Sequence, residues 1–187
     1  QKAGYNWKNL KYILITHMHP DHVGGLLPFL FYRKLCSIKS PLTIIGPPNV
    51  EVYLSDSFQH TGINCNQDLH YISIADHLGI KLDKEINLHA LQMEHTIPCW
   101  GYALEDGRRK LVFVTDTRSN ANTVKLAEKA DVLIHEATFQ HHQREKALEH
   151  FHVTEIQAME IAEVAQVKRL VLTHFSPRLT DEDVMKW

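Results

Sequence analysis

Four metal-capable side chains fall within six positions of the run Thr16-His17-Met18-His19-Pro20-Asp21-His22. His17 and His19 are two apart, so in extended backbone both rings leave on the same side and can grip one ion. Asp21 and His22, at the turn into a following helix, can grip a second ion a few ångströms away. Mixed imidazole and carboxylate ligation suits Zn, with Mn and Fe compatible, better than an ion that seeks thiolates. Gly24-Gly25 follow at once and let the backbone turn tightly behind the ligands. The competing explanation, a solvated histidine-rich loop, fits this density of donors poorly. Two adjacent divalent ions are the equipment of hydrolysis.

Further donors stand where apolar runs end: Glu94 and His95, then Asp116, then His135 and Glu136, then His174. A lone histidine at a strand end is more often a hydrogen-bonded or surface residue than a ligand. Five runs ending this way carry more weight, because ligands of open α/β sheets collect beyond the carboxyl ends of strands. His135 and Glu136 are neighbours in extended chain and face opposite ways, so His135 is left out of the site. His141, His142 and His150 read as solvated loop residues.

The elements that must position these donors are legible in the periodicity. Strands are expected at Tyr12 to Thr16, Leu42 to Ile45, Ile86 to Met93, Lys110 to Thr115, Asp131 to Ile134 and Arg169 to Thr173. Helices are expected at Val23 to Tyr32, Val50 to Thr61, Thr123 to Lys129 and Thr154 to Val167, with another starting at Thr180. Thr154 and Gln157 make a capping-box pattern. Asp106-Gly107 joins Gly101–Leu104 to Lys110–Val114 as a hairpin, which makes Arg108, Arg109 and Lys110 its solvated end. Alternating strands and helices give the class α/β.

Composition sets outer limits. The chain has 187 residues, 44% apolar and 22% charged, enough for a core and too few for two large domains, so one domain over 1–187 is expected. The net charge of -2 supplies no overall attraction to nucleic acid and excludes none, since local patches or metals could provide it. Cys36, Cys65 and Cys99 are an odd number without C-x-x-C spacing, which suits a reducing, cytoplasmic setting. No apolar run approaches the ~20 residues that span a bilayer, and Gln1-Lys2-Ala3-Gly4 lacks signal architecture.

The run T-H-M-H-P-D-H-V-G-G-L resembles the signature of the metallo-β-lactamase superfamily. Later pieces narrow the resemblance to the ribonuclease Z family, which removes the 3′ trailer of precursor tRNA. These are Glu94 to Tyr102, Thr115 to Arg118, His135-Glu136-Ala137-Thr138-Phe139, His152-Val153-Thr154 and Thr173 to Arg178, in the family's order. The resemblance implies an αββα sandwich in which His17, His19 and His95 hold one zinc, Asp21, His22 and His174 hold the other, and Asp116 bridges them. It also implies that a hydroxide between the ions attacks phosphorus, oriented or deprotonated by Asp21. His152 then gives a proton to the departing ribose oxygen while Glu136 fixes its tautomer. The same likeness implies a homodimer acting on precursor tRNA, and the lack of a spanning run leaves no membrane partner expected.

Two features depart from the family pattern. The chain starts one strand before the metal motif, where relatives have several, so its amino-terminal strands are expected to be missing and the form truncated. Short bacterial relatives carry a tRNA-clamping arm between the Gly-Tyr and Asp-Thr segments, whereas here only Ala103 to Val114 intervene. A small-molecule phosphodiesterase of the same superfamily, acting on cyclic nucleotides or ribose cyclic phosphates, is the alternative this favours.

Overall fold

The computed structural model describes residues 4–63, 68–74 and 79–185. Cys65, the first three residues and Lys186-Trp187 lie outside them. Packing divides the chain into two units, Gln1–Ile74 and Ala75–Trp187. Among the described residues, no helix is long and apolar enough to cross a membrane.

In the first unit, β1 (Tyr12–Leu14), β2 (Leu42–Gly46) and β3 (Leu69–Ser73) form a parallel sheet in that order. Parallel neighbours need crossover connections, supplied by the helices α2 (Leu26–Leu35) and α3 (Asn49–Thr61). Their apolar faces join the sheet in one core containing Ile15, Leu30, Leu42, Ile44, Leu54 and Phe58. Each such residue, once buried, contributes roughly 1.5–3 kcal/mol. Gly62, at φ +65°, closes α3 in the left-handed conformation that glycine adopts without penalty.

One helix was expected from Val23 to Tyr32, and two are present. The short α1 (Pro20–Val23) starts on Pro20, whose fixed φ suits a first helical position. The Gly24 amide closes this turn on the Pro20 carbonyl at 2.7 Å, and α2 begins after Gly25. The Asp21-His22 pair therefore sits on a helical turn of its own. β1 ends at Leu14 rather than Thr16, because the last ladder contact is Ile15 N–H to the Ile45 carbonyl.

The second unit holds a six-stranded sheet in sequence order: β4 (Gly79–Lys81), β5 (Asn87–Met93), β6 (Cys99–Glu105), β7 (Lys110–Val114), β8 (Val132–Glu136) and β9 (Leu170–Thr173). β5, β6 and β7 pair antiparallel, while β7, β8 and β9 pair parallel. As a result β5, β7, β8 and β9 all run the same way. The helices are α4 (Ala121–Ala127), α5 (Arg144–Glu149), α6 (Glu155–Val164) and α7 (Asp181–Val184). α4 starts two residues earlier than expected, since the Asn120 side chain accepts the Thr123 N–H. The Thr154–Gln157 capping box is present at α6. β6 and β7 form the expected plain hairpin, with Gly107 at φ +80° and Asp106 Oδ1 accepting the Arg108 and Arg109 amides.

β3, β4 and α5 were not expected. Leu69–Ser73 is a short run with a histidine inside it, β4 has three residues, and α5 is a six-residue helix mostly made of charged side chains. None of these carries a period long enough to read. Gly101 sits where β6 meets the core: a Cβ there would lie 2.8 Å from Met93 Cε and 3.0 Å from Leu126 Cδ2 and Val114 Cγ2. Gly101→Ala is therefore expected to lower stability by about 1–3 kcal/mol through overpacking, read as a reduced denaturation midpoint with an unchanged slope.

Candidate metal centre and its supporting carboxylate

Donors appear in each unit. In the first, the segment after β1 folds back through Thr16 and His17, both buried. His17 Nδ1 contacts Thr16 Oγ1 at 3.0 Å, and its Nε2 lies 3.1 Å from His19 Nδ1. The His17 ring is 4.8 Å from that of His19 and 4.1 Å from that of His22, centroid to centroid. His22 Nε2 lies 3.4 Å from Asp21 Oδ2, on the α1 turn. Three imidazoles and a carboxylate thus crowd together, with His17 wholly buried. Such a group of lone pairs fits a divalent cation.

In the second unit, the four strands that run the same way end in site residues: β5 before His95, β7 before Asp116, β8 at Glu136 and β9 before His174. Two hydrogen bonds tie the first pair of strand ends together, Arg118 N–H to the Glu94 carbonyl at 3.0 Å and Glu94 N–H to Thr117 Oγ1 at 3.1 Å. Asp116 is 3% exposed, and each of its oxygens faces a different imidazole. Oδ2 lies 3.7 Å from His95 Nε2, and Oδ1 lies 3.3 Å from His174 Nε2. Donor atoms of Asp116, His152 and His174 all lie within 4.8 Å of one another. Asp116 and His174 both adopt positive φ, +51° and +55°. For non-glycine residues this costs about 1–2 kcal/mol, and such strain concentrates at functional sites.

Glu136 has no exposed surface. Its carboxylate accepts the Thr117 N–H at 2.6 Å, the Thr138 hydroxyl at 2.7 Å and the Val153 N–H at 3.3 Å. His152 Nδ1 lies 3.0 Å from both carboxylate oxygens. A carboxylate only accepts, so this nitrogen carries the hydrogen and the tautomer is set. The segment bearing His152 is anchored by Arg118, whose Nε donates to the Leu148 carbonyl at 2.8 Å and whose guanidinium lies 3.6 Å from the Phe151 ring centroid. Phe151 also has positive φ, +61°.

Thr117, Arg118 and Thr138 are site residues that local sequence does not single out, although all three lie inside the motifs that carry the family resemblance. The available signal was spacing: Thr138 is two residues beyond Glu136 in extended chain and so faces the same way. His135 points elsewhere, as expected, donating from Nδ1 to the Glu136 carbonyl at 2.8 Å. His141, His142 and His150 are exposed, the first two on a 3₁₀ turn at His141–Gln143. Cys36 and Cys99 are thiols; burial, then the nearby Asp116 and Glu136 charges, pushes the Cys99 thiol far up, so it stays protonated and structural.

The β-lactamase superfamily domain model matches residues 2–175. The chain is 33% identical to ribonuclease Z of Picosynechococcus sp., with 89% of this chain and 68% of that protein covered. It is 32% identical to ribonuclease Z of Brevibacillus brevis, covering 97% and 73%. The solved structure of the short form of human tRNase Z superposes with a TM-score of 0.83 at 30% identity, covering 95% of this chain and 77% of that one. The fold is therefore of the metallo-β-lactamase type.

Burial holds the His135 imidazole below its ordinary pKa, against a smaller upward pull from the Glu136 carbonyl and charge. The unfolded chain then binds more protons than the folded one just below pH ~6.5, the free imidazole value. This component of stability is complete above that pH and is lost as the pH falls. Urea midpoints taken in chelator between pH 5 and 8 are expected to fall on acidification, and to fall less steeply in His135→Leu.

Proposed function

Because the chain belongs to the metallo-β-lactamase superfamily and, within it, to the ribonuclease Z family, we propose that it is the metal-dependent endoribonuclease that removes the 3′ trailer of precursor tRNA. Family membership makes it a hydrolase that uses divalent metal. Zinc as the resident ion, a cytoplasmic location, a homodimer and a single functional domain over 1–187 belong to the same proposal.

The observation that carries the site assignment is Asp116, a buried carboxylate with one oxygen toward His95 and the other toward His174. A carboxylate so placed would help to hold both ions. In keeping with the family resemblance, we assign His17, His19 and His95 to one ion and Asp21, His22 and His174 to the other. Imidazole nitrogens with carboxylate oxygens are a donor set that zinc accepts. When bound, a pair of divalent ions lowers the pKa of water into the neutral range and neutralises the phosphate.

The chain's own residues supply the rest. Asp21, 66% exposed on its helical turn, orients the attacking water or takes its proton. The bond between phosphorus and the ribose oxygen breaks, and that oxygen needs a proton as it leaves. His152 delivers one from Nε2, since Nδ1–H is engaged by Glu136. The buried carboxylate holds the ring in place and balances the charge it carries beforehand.

A second reading, a phosphodiesterase of small cyclic phosphates, is favoured by the plain hairpin of β6 and β7, which leaves no arm in that position. The Picosynechococcus alignment runs over 224 positions while taking up 89% of these 187 residues, so that relative carries internal residues this chain lacks. Rates on precursor tRNA, cyclic phosphates and bis-p-nitrophenyl phosphate separate the two readings. Metal-dependent cleavage after the discriminator base is expected, and its absence in zinc- and manganese-loaded protein would refute the first.

The division of labour is equally open to measurement. His152→Ala is expected to lower kcat by about 10²–10⁴-fold, the usual span for a general acid, while metal content stays at the wild-type level. Loss of an ion in that variant would make His152 a ligand instead. Asp116→Asn is expected to lose metal and activity together.

A further inference from the structure

Thr138 makes more polar contacts around the site than any role given to it above requires. Its hydroxyl lies 2.7 Å from Glu136 Oε2, 2.8 Å from His174 Nδ1, 3.0 Å from the His174 carbonyl and 3.4 Å from His152 Nδ1. It is 9% exposed, so water does not take the place of these partners. A hydroxyl has one proton and two lone pairs. The Glu136 carboxylate and the His174 carbonyl both need that proton, and the carboxylate is the closer and the charged acceptor.

Once the proton is committed to Glu136, the 2.8 Å contact with His174 Nδ1 is a hydrogen bond only if that nitrogen is the donor. His174 then carries its hydrogen on Nδ1 and its lone pair on Nε2. Nε2 is the atom that faces Asp116 Oδ1 at 3.3 Å. A lone pair opposite a carboxylate oxygen at that distance is an electron-rich pair that a cation between them would satisfy. Had the hydroxyl proton gone to His174 instead, Nε2 would hold a hydrogen and could not ligate.

We propose that Thr138 is a positioning residue that couples the metal ligand to the acid pair: its hydroxyl donates to Glu136 and accepts from His174, and so fixes both at once. This rests on the ligand assignment of the preceding section. The chain of contacts runs from Asp116 through His174 and Thr138 to Glu136 and His152, spanning β7, β8, β9 and the segment before α6. Its backbone supports it, since the Ala137 N–H donates to the Thr173 carbonyl at 2.9 Å and holds the Thr138 and His174 segments side by side. Groups behind a ligand that orient it in this way typically alter metal affinity by about 10–100-fold when removed.

The test is Thr138→Val, close to threonine in shape but without the hydroxyl, beside Thr138→Ser, which restores it, both in the full chain. The main readout is zinc affinity by competition with a chromophoric chelator, with the visible absorption of the Co²⁺-loaded protein as a second. Thr138→Val is expected to weaken binding of the more loosely held ion by about 10-fold or more and to shift the cobalt bands. It should also lower kcat on precursor tRNA with KM nearly unchanged, and Thr138→Ser should recover most of each effect. Should Thr138→Val fail to fold, Thr138→Ala removes the same hydroxyl and is read in its place. Affinity and spectrum within twofold of wild type would overturn the proposal. So would equal losses in the serine variant, which would point to packing by the methyl group. A wild-type chain that bound no second ion would instead refute the ligand assignment itself.

Discussion

A carboxylate with no exposed surface stands at the end of β8, between two neighbouring strands, and it has to be surrounded by donors. An unpaired charge there would cost several kcal/mol. Meeting that demand draws in the Thr117 amide, the Thr138 hydroxyl, the Val153 amide and the His152 ring, which come from three different parts of the second unit. The loop after β7, the end of β8 and the segment before α6 are thereby held to a common centre. The geometry of the proposed acid pair in this unit follows from satisfying one buried anion.

Backbone strain is found beside these residues, as well as at Ser37, Asp68, Lys129 and Gln166 elsewhere. Asp116, His174 and Phe151 all sit at positive φ, each at the point where the chain leaves a regular element or precedes the proposed proton donor. Aspartate tolerates that region better than most residues, whereas histidine and phenylalanine need support from their surroundings. His174 receives it from Thr138, and Phe151 from the Arg118 guanidinium above its ring. The loops are consequently fixed by contacts that act on side chains and backbone together.

The first unit shows a different solution. His17 is buried among imidazoles, and the pair Asp21-His22 rides on a four-residue helix started by a proline. So short a helix has little stability of its own. It is kept by the Gly24 amide on the Pro20 carbonyl and by Val23 entering the core beside Leu26 and Leu30. The run from His17 to His22 is therefore a corner anchored on the core rather than a solvated loop.

The sequence by itself determined the candidate metal-binding residues, because His-x-His-x-Asp-His is a local pattern and spacing of two or one decides which side a ring leaves an extended chain. It also determined most strands and helices, the hairpin at Asp106-Gly107 and the capping box of α6, all written in short-range periodicity. Only the tertiary structure decided that β5, β7, β8 and β9 point the same way, which brings His95, Asp116, Glu136 and His174 to one end of a sheet. It alone decided that Thr138 reaches a histidine 36 positions away and that Arg118 anchors a segment 30 positions on. Those contacts depend on strand order and on where one hydroxyl proton can go. Neither leaves a trace in local spacing, since a threonine two residues beyond a glutamate reads the same whether its further partner is water or a distant histidine.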